Sequence, residues 1–487
     1  MPKGQRPRFL ICKLLLCGFF FKSQLAYAQN SKITELSPDA YLQSYDRFAP
    51  KDQLRPLDLS GSIEESLREG PDQRIRNQQN GIIDNQWEGT KVGFWFPEIK
   101  MVVTSNQQRI TRLKSGDSSA NSNSKSPSGS VGLELGNYTV FNWGKDYLEY
   151  ANKRETYNVN KLSLAQQRRE LRHATIINFF EILTYREIES IKKEYLRHAS
   201  YIYRVNTEKL QQGKTTRQEY HQARELYLDS QQRYQEAQLN SQQIDEKMAY
   251  KLSDEVGTRY FIKEKLNYKE FKLPIEEAIS LSKNNSFQIL SSVAGKNIAQ
   301  RSYELAQKEN LPLPKFTLDL GAYTHRFGPS QGSTRYETSP GSSNVEIVAT
   351  VNATWDIWGN DGFMNSRKLT TSYLRNSLSE EQIHQSERSN GQILRQKYMA
   401  LLSYQKQILI LEARSNNLQK MFDVILDNYL NNKTPFVNFS LALKAMIEAQ
   451  TELSQRRFDH LREKVLMATE MGVDDLPGEN FEKLAVH

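Results

Sequence analysis

The sequence predicts a mainly α-helical chain that contains four β-strands of membrane-crossing length and is built as a tandem duplication. Three observations support this fold class. Short motifs recur in the same order at an offset of about 215 residues. Paired runs alternate between apolar and polar side chains, and long proline-free stretches have a heptad period.

The overall composition excludes a bundle of membrane-spanning helices. The chain has 487 residues, of which 38% are hydrophobic, and its mean hydropathy is −0.68. Beyond the N-terminus there is no uninterrupted apolar stretch of the roughly 18 residues that a membrane-spanning helix requires. The length allows several ordinary domains or one assembly of long elements.

Residues 1–28 are predicted to be a secretory signal peptide. Basic residues open the sequence, Leu10 to Phe21 is mostly apolar, and Ala26-Tyr27-Ala28 matches a cleavage signal ahead of Gln29. A short membrane anchor is the alternative, but the apolar run is too short to span a bilayer. Lipidation at Cys17 is a further alternative, disfavoured because the preceding residue is Leu16 rather than a small one.

Loss of this peptide changes both the charge and the cysteine content of the chain. It removes five basic residues and no acidic one, so the formal charge falls from +8 to +3. We therefore expect no nucleic-acid partner. Both cysteines also lie in the peptide, so the mature chain is predicted to have neither a disulfide nor a thiolate metal site.

Four short motifs indicate the duplication. The matches are Ile63-Glu64-Glu65 with Ile275-Glu276-Glu277, Pro97 with Pro314, Trp143-Gly144 with Trp358-Gly359, and Gly213-Lys214-Thr215 with Asn432-Lys433-Thr434. Four matches in the same order at a nearly constant offset are not expected by chance. We predict a first repeat at 62–273 and a second at 274–472, between an N-terminal segment at 29–61 and a tail at 473–487.

Each repeat is predicted to contain a helix, two strands and a long helical hairpin, in that order. The strands are predicted at about 98–106 and 131–143, and at about 315–325 and 344–358. The clearest run is 344–358, where Val345, Ile347 and Val351 share one face while Glu346 and Asn352 lie on the other. Such runs reach the roughly 9–11 residues of a transmembrane strand. A strand of a soluble sandwich is the alternative.

The helical stretches have the period of a coiled coil. A seam in the first repeat steps by three and four residues, through Tyr220, Ala223, Tyr227, Ser230, Tyr234, Ala237, Ser241, Ile244 and Met248. The second repeat has the same seam 219 residues later, through Phe439, Ala442, Met446, Ala449 and Leu453. The hairpins are predicted to turn near 213 and 432. An apolar belt within 176–183 is predicted to be buried on all sides.

Four strands cannot close a sheet on themselves in lipid, so the pattern also implies an oligomer. The strand pairs, the Trp-Gly motifs and the turn motifs together resemble the TolC family of outer-membrane efflux and secretion channels, over roughly residues 62–472. The turn motif is represented by Gly213, Glu219 and Ala223, and by Tyr429, Asn432, Asn438 and Ala442.

The resemblance implies a homotrimer with a shared 12-stranded β-barrel in the outer membrane and a coiled-coil tunnel in the periplasm. Its implied partners are a periplasmic adaptor, an inner-membrane transporter and outer-membrane lipid. It implies that adaptor docking involves the six turn residues, Gly213, Lys214, Thr215, Asn432, Lys433 and Thr434. Glu219 and Asn438 would line a constriction, although asparagine at 438 and Thr434 make a carboxylate gate in the second repeat doubtful.

The implied function is a passive exit duct of a tripartite efflux pump or a type I secretion system. The alternatives are a sealed structural protein of the outer membrane and a soluble periplasmic adaptor, which would not explain the strands. Seven histidines occur, but none has H-E-x-x-H or another ligand spacing, and no G-x-S-x-G is present. We therefore expect no enzyme, no cofactor and no metal site.

Overall fold

The computed structural model describes residues 54–106, 128–327, 346–357, 363 and 365–486. All of them belong to one compact unit, Gln53–His487. The predicted signal peptide, most of the predicted N-terminal segment and the Trp358-Gly359 pair lie outside the described residues. None of the helices in the described part of the chain is sufficiently long and apolar to cross a membrane.

The first repeat begins with a short strand and two helices. These are β1 (Arg55–Pro56), α1 (Leu59–Glu69) and α2 (Pro71–Trp95). Helix α1 begins three residues before the predicted boundary because Asp58 caps it, accepting a hydrogen bond from the Gly61 backbone. Strands β2 (Ile99–Asn106) and β3 (Ser128–Phe141) follow. The long hairpin consists of α3 (Lys145–Gln211) and α4 (Arg217–Leu252).

The second repeat has the same order of elements. After the short strands β4 (Tyr260–Phe261) and β5 (Lys265–Leu266) come α5 (Ile275–Asn285) and α6 (Phe287–Glu309). Strands β6 (Lys315–Phe327) and β7 (Glu346–Thr354) precede the second hairpin, α7 (Ser366–Leu430) and α8 (Phe436–Met471). A 3₁₀ helix (Phe481–Leu484) and β8 (Ala485–Val486) end the described chain.

The four long strands form one antiparallel sheet in the order β2-β3-β6-β7. The two repeats therefore join within the sheet, where Leu133 pairs with Ala322 and Leu135 with Leu320. Strand β3 ends at Phe141 rather than at the predicted Trp143, because Trp143 (φ 54°) and Gly144 (φ 78°) leave the extended conformation. Strand β7 is also shorter than the predicted run, and it leaves β2 and β7 as the outer strands.

The predicted heptad seam is the buried face of α4. All its members except Tyr220 are buried, as are Phe439, Ala442, Met446 and Ala449 in α8. Helix α3 packs against α4, and also against α6 and α8 of the second repeat. The apolar belt of α3 lies at this contact, with Ile176, Phe179 and Phe180 fully buried. Burial of each such side chain contributes about 1.5–3 kcal/mol.

The duplication is visible in matching polar contacts. In the first repeat the Thr175 hydroxyl donates to the Ser66 hydroxyl across 3.0 Å. In the second repeat the side chain of Asn390, 215 residues after Thr175, accepts from Ser282. Both contacts join the short first helix to the long first arm of the hairpin, and both are buried. They fix the correspondence between the repeats residue by residue.

The tail that had no assignment from the sequence is ordered on α3. Arg169 Nε donates to the carboxylate of Asp474 across 3.1 Å, and Arg172 pairs with Asp475 and Glu482. His173, buried in α3, donates through Nε2 to the Asp474 carbonyl oxygen across 2.8 Å. The tail therefore covers the first repeat with side chains from the end of the second.

Two basic side chains of α8 are buried under the same tail. Lys464 Nζ donates to the Lys269 carbonyl oxygen across 2.6 Å and pairs with Glu479. His460 is 2% exposed and lies beside the Tyr268 ring, with centroids 5.2 Å apart. Burial lowers the pKa of His460 to about 3, and the nearby charge of Lys464 lowers it further.

Gly472 ends α8 in a left-handed conformation (φ 74°), and a Cβ atom at this position would overlap the Asn285 carbonyl oxygen. We predict that Gly472→Ala destabilises the protein by about 2 kcal/mol or more, through backbone strain and overlap. Gly295→Ala is the matched control, because a Cβ there meets nothing within 4 Å in a helix. That variant should be neutral or gain about 0.5–1 kcal/mol. Equal unfolding midpoints for both variants would contradict this account.

The buried His460 predicts loss of stability in acid. The folded state stays neutral at His460 down to about pH 3, whereas the unfolded chain takes up the proton near the ordinary value of 6.5. The free energy of unfolding should therefore fall by about 2 kcal/mol between pH 6.5 and pH 5. His460→Gln should flatten this slope, measured by denaturation across that range. An unchanged slope in the variant would show that His460 does not cause it.

Candidate functional site

The two hairpin turns contain the predicted site residues, and they are built by the same hydrogen bonds. In the first turn, Gly213 N donates to Leu210 O (3.0 Å) and Lys214 N donates to Lys209 O (2.8 Å). These two bonds define a Schellman motif, which requires a left-handed residue. Gly213 provides it with φ 67° and is exposed.

The second turn repeats this motif with asparagine in place of glycine. Asn432 N donates to Tyr429 O (3.0 Å), and Lys433 N donates to Asn428 O (2.8 Å). Asn432 has φ 57°, a conformation that asparagine tolerates better than other residues with a side chain. The departure from glycine that the sequence shows at this position therefore leaves the shape of the turn unchanged.

The first turn continues into α4 through a capping arrangement. The Thr216 hydroxyl accepts a hydrogen bond from Glu219 N across 3.2 Å, and the carboxylate of Glu219 accepts one from the Thr215 hydroxyl. Thr216 and Glu219 have the spacing of a capping box. Glu219, predicted to line a constriction, is half-buried and held by Thr215. The Thr-x-x-Glu spacing was the sequence signal for this helix start.

The second turn begins α8 differently. Pro435 occupies the cap position and offers no side-chain hydrogen bond. Asn438 is exposed, and its backbone N donates to Pro435 O across 3.2 Å. Leu441, on the next helical turn, is 61% exposed. The two turns therefore differ chemically, with a fixed carboxylate in the first and a free amide and leucine in the second.

Lys209 joins the two turns, and sequence reasoning did not identify it. Its Nζ donates to Asn432 Oδ1 across 2.6 Å and lies 5.2 Å from the centre of the Tyr429 ring. A hydrogen bond to an ionised donor contributes more than a neutral one, and the ring adds a cation–π attraction. The pairing depends on two residues 223 positions apart, so no local pattern could reveal it.

An aromatic cluster supports the turns from beneath. Tyr429 stacks on Phe439 at 5.2 Å, and Phe436 and Phe422 pack against the same ring. The hydroxyl of Tyr429 forms hydrogen bonds with the buried amide of Asn206 in α3, which ties the second turn to the first hairpin. Burial raises the pKa of Tyr429, so this hydroxyl remains neutral and able to donate.

A second polar contact between the helices lies further along α4. The Tyr195 hydroxyl donates to Asp229 across 2.8 Å, and Arg233 Nε donates to the same carboxylate across 3.1 Å. Burial alone would raise the pKa of Asp229, but these two hydrogen bonds and the charges of Arg233 and Lys444 lower it. The carboxylate is therefore ionised and fixed at neutral pH.

The arrangement at the turns suits docking rather than catalysis. Lys214 and Lys433 are exposed, and Thr215 and Thr434 are half-buried beside them. Together with the backbone of two protruding turns, they offer hydrogen-bond donors to another protein. Within the described part of the chain, no group of three or more His, Cys, Asp or Glu side chains could hold a metal ion.

Comparison with known proteins gives one family and one fold. Residues 94–249 match the family model of the outer membrane efflux protein. This match covers β2, β3, α3 and nearly all of α4, and so includes the first turn. None of the curated proteins compared with this sequence matches it significantly.

Solved structures resemble the whole described chain. The CmeC outer membrane channel of Campylobacter jejuni matches with a TM-score of 0.69 and 17% identity, over 87% of this chain and 88% of that one. The outer membrane protein VceC of Vibrio cholerae matches with a TM-score of 0.67 and 11% identity, over 85% and 96%. The MtrE outer membrane channel of Neisseria gonorrhoeae, in its open state, matches with a TM-score of 0.66 and 14% identity, over 87% and 91%.

These matches confirm the resemblance and the fold class that the sequence predicts. They agree with the predicted location, since the titles of all three structures place those proteins in the outer membrane. The roles of the individual turn residues stay predictions, because a fold comparison does not test them.

The bridge between the turns can be tested by removing its charge. Lys209→Met deletes the hydrogen bond to Asn432 and the cation–π contact while keeping the length of the side chain. We expect about fivefold faster hydrogen exchange at residues 428–436, equivalent to about 1 kcal/mol. Lys214→Met, at an exposed lysine of the first turn, serves as the control. Equal exchange in the two variants would show that Lys209 does not fasten the second turn.

Proposed function

We propose that this chain, which has the fold of the TolC-family outer-membrane channels and carries an outer membrane efflux protein domain, is the exit duct of a tripartite export system. The system is either an efflux pump or a type I secretion apparatus. The observation that carries the proposal is the duplicated architecture, in which two pairs of long strands continue into two long hairpins with identically built turns.

The sheet supports a trimer. Its outer strands, β2 and β7, each pair with a neighbour on one side only. In lipid, such edges must be satisfied by hydrogen bonds from another chain. Three copies would close the sheet into a barrel of 12 strands, with β7 of one copy beside β2 of the next.

The ends of the strands support an outer-membrane position. Aromatic and apolar side chains are exposed where the sheet meets the helices, among them Trp95, Phe96, Ile99, Met101, Phe141, Val351, Trp355 and Ile357. Transmembrane barrels have such a girdle of aromatic residues at each membrane surface. We therefore place the sheet in the outer membrane and the hairpins in the periplasm.

The hairpins support a tunnel wall shared between copies. Within one chain, α3 of the first repeat packs against α6 and α8 of the second. Helix α7, the counterpart of α3, leaves Met399, Leu409 and Ile410 exposed instead. In a ring of repeats, these side chains would be covered by α2 and α4 of the next copy, which correspond to α6 and α8.

The turns support docking of a periplasmic adaptor that links the duct to an inner-membrane transporter. Gly213, Lys214 and Thr215 would contact the adaptor in the first turn, and Asn432, Lys433 and Thr434 in the second. Glu219 and Asn438 would lie at the constriction just inside. Because Thr215 holds Glu219 while Asn438 is free, opening would first move the second turn.

The proposal predicts that Gly213→Pro abolishes export while the trimer still assembles. Proline cannot adopt φ 67°, and it removes the hydrogen bond from Gly213 N to Leu210 O. Export would be measured by complementing a strain that lacks its own duct, and the particle mass by light scattering coupled to gel filtration in detergent. Gly213→Asn is the control, because Asn432 already performs this role in the second turn.

Normal export by the Gly213→Pro trimer would contradict docking at the turns. A monomeric wild-type particle in mild detergent would contradict the shared sheet and with it the duct. Trimers that conduct no ions in planar bilayers under any condition would favour the sealed structural protein instead.

A further inference from the structure

An open groove lies between α5 and α7. Its volume is about 600 Å³, and Ile279, Lys283, Gly391, Arg395 and Met399 are among its lining residues. Met399 is 72% exposed, which is unusual for a large apolar side chain on a well-packed helix. Gly391 opens the groove, because a Cβ atom there would meet nothing within 4 Å.

The same surface in the first repeat is filled. The matching contacts of Ser66 with Thr175 and of Ser282 with Asn390 make Ile176 the counterpart of Gly391 and His173 the counterpart of Arg388. Ile176 and His173 are both buried. Their cover includes the tail, whose Asp474 carbonyl oxygen accepts from His173 and whose Phe481 ring packs against it.

The tail that covers the first repeat follows α8, and its counterpart follows α4. Ser253 and Gly472, 219 residues apart, are both left-handed and end their helices with the same hydrogen bonds. The segment Asp254–Phe261 therefore corresponds to the start of the tail. In this alignment Glu255 is the counterpart of Asp474, the residue that contacts α3.

Asp254–Phe261 is fixed on its own repeat and presents its tip outward. Asp254 pairs with Arg55 and accepts from the Tyr260 hydroxyl across 2.6 Å. Gly257 N donates to Glu246 across 3.1 Å, which closes the turn. Val256, at the tip, is 93% exposed. A valine held in this way on a structured turn is a preformed contact for another surface.

We propose that the segment Asp254–Phe261 of a second copy of this chain docks in the groove between α5 and α7. Val256 packs against Ile279 and Met399, and the carboxylate of Glu255 faces Arg388. The proposal rests on the proposed trimer and specifies one contact between neighbouring copies.

Charge supports this occupant. The groove is lined by three basic side chains, Lys283, Arg388 and Arg395, against one acidic side chain, Glu387. Of the two acids at the start of the segment, Asp254 already pairs with Arg55, which leaves Glu255 to meet the groove. An acidic tip entering a basic groove favours this register over a shifted one.

Cross-linking tests the contact directly. Residues 54–486 contain no cysteine, so the double variant Val256→Cys with Gln392→Cys places one thiol on the tip and one in the groove. A short bis-maleimide should give covalent dimers and trimers in the double variant and none in either single variant. The control pairs Val256→Cys with Asn416→Cys, an exposed position about 36 Å further along α7.

Charge reversal supplies a second measurement. Glu255→Arg alone and Arg388→Glu alone should each lower the temperature at which the detergent-solubilised trimer dissociates. The combined variant should recover at least half of that loss. Additive losses in the combined variant would contradict the pairing of Glu255 with Arg388.

The outcomes separate this inference from the proposed function. A trimer by light scattering without cross-links would overturn the docking contact and leave the duct in place. A monomer would overturn both. Cross-linking of the groove thiol to a co-expressed periplasmic adaptor, but not to a second copy, would also overturn it by assigning the groove to another protein.

Discussion

The contact between α3 and the second repeat is the constraint on which the rest of this structure depends. The apolar belt of α3 has no polar face, so it must be covered on every side. Helix α4 covers one side, α6 and α8 cover others, and the tail packs beside His173. The first repeat therefore cannot be complete without the second. The second repeat has a matching surface on α7 with no equivalent cover from its own chain.

The repeats have diverged where their surroundings differ. Asp245 in α4 and Lys464 in α8 occupy equivalent, buried positions with opposite charge. Asp245 is paired with Arg186 across 3.3 Å, and Lys464 with Glu479 across 3.1 Å. Each buried charge needs a partner of the opposite sign, because an unpaired one would cost several kcal/mol. Each repeat found that partner in a different neighbouring segment, so the backbone arrangement was kept while the pairing changed.

The period of the side chains predicts most of the fold. Alternation locates all four strands, and the 3-4 spacing predicts which face of α4 is buried. The turns were also predictable, because Gly213 and Asn432 follow a heptad run at equivalent positions. The exact strand end at Phe141 was not, since the left-handed conformation of Trp143 is set by its packing. Lys209 and the tail could not be predicted either, because their partners are hundreds of residues away.

The lengths of the hairpin arms show that the two repeats cannot be equivalent in shape. His173 in α3 and Asn390 in α7 lie at one level, since they contact the adjacent residues Thr469 and Glu470. At the other end, Lys209 in α3 contacts Asn432. Between these levels α3 has 36 residues and α7 with its turn has 42. At 1.5 Å per residue, the path along α7 is longer by roughly 9 Å. That excess must be absorbed by curvature or tilt. A ring of three such chains is therefore threefold rather than sixfold, and its more curved arm ends at the turn that Lys209 alone ties across to the first.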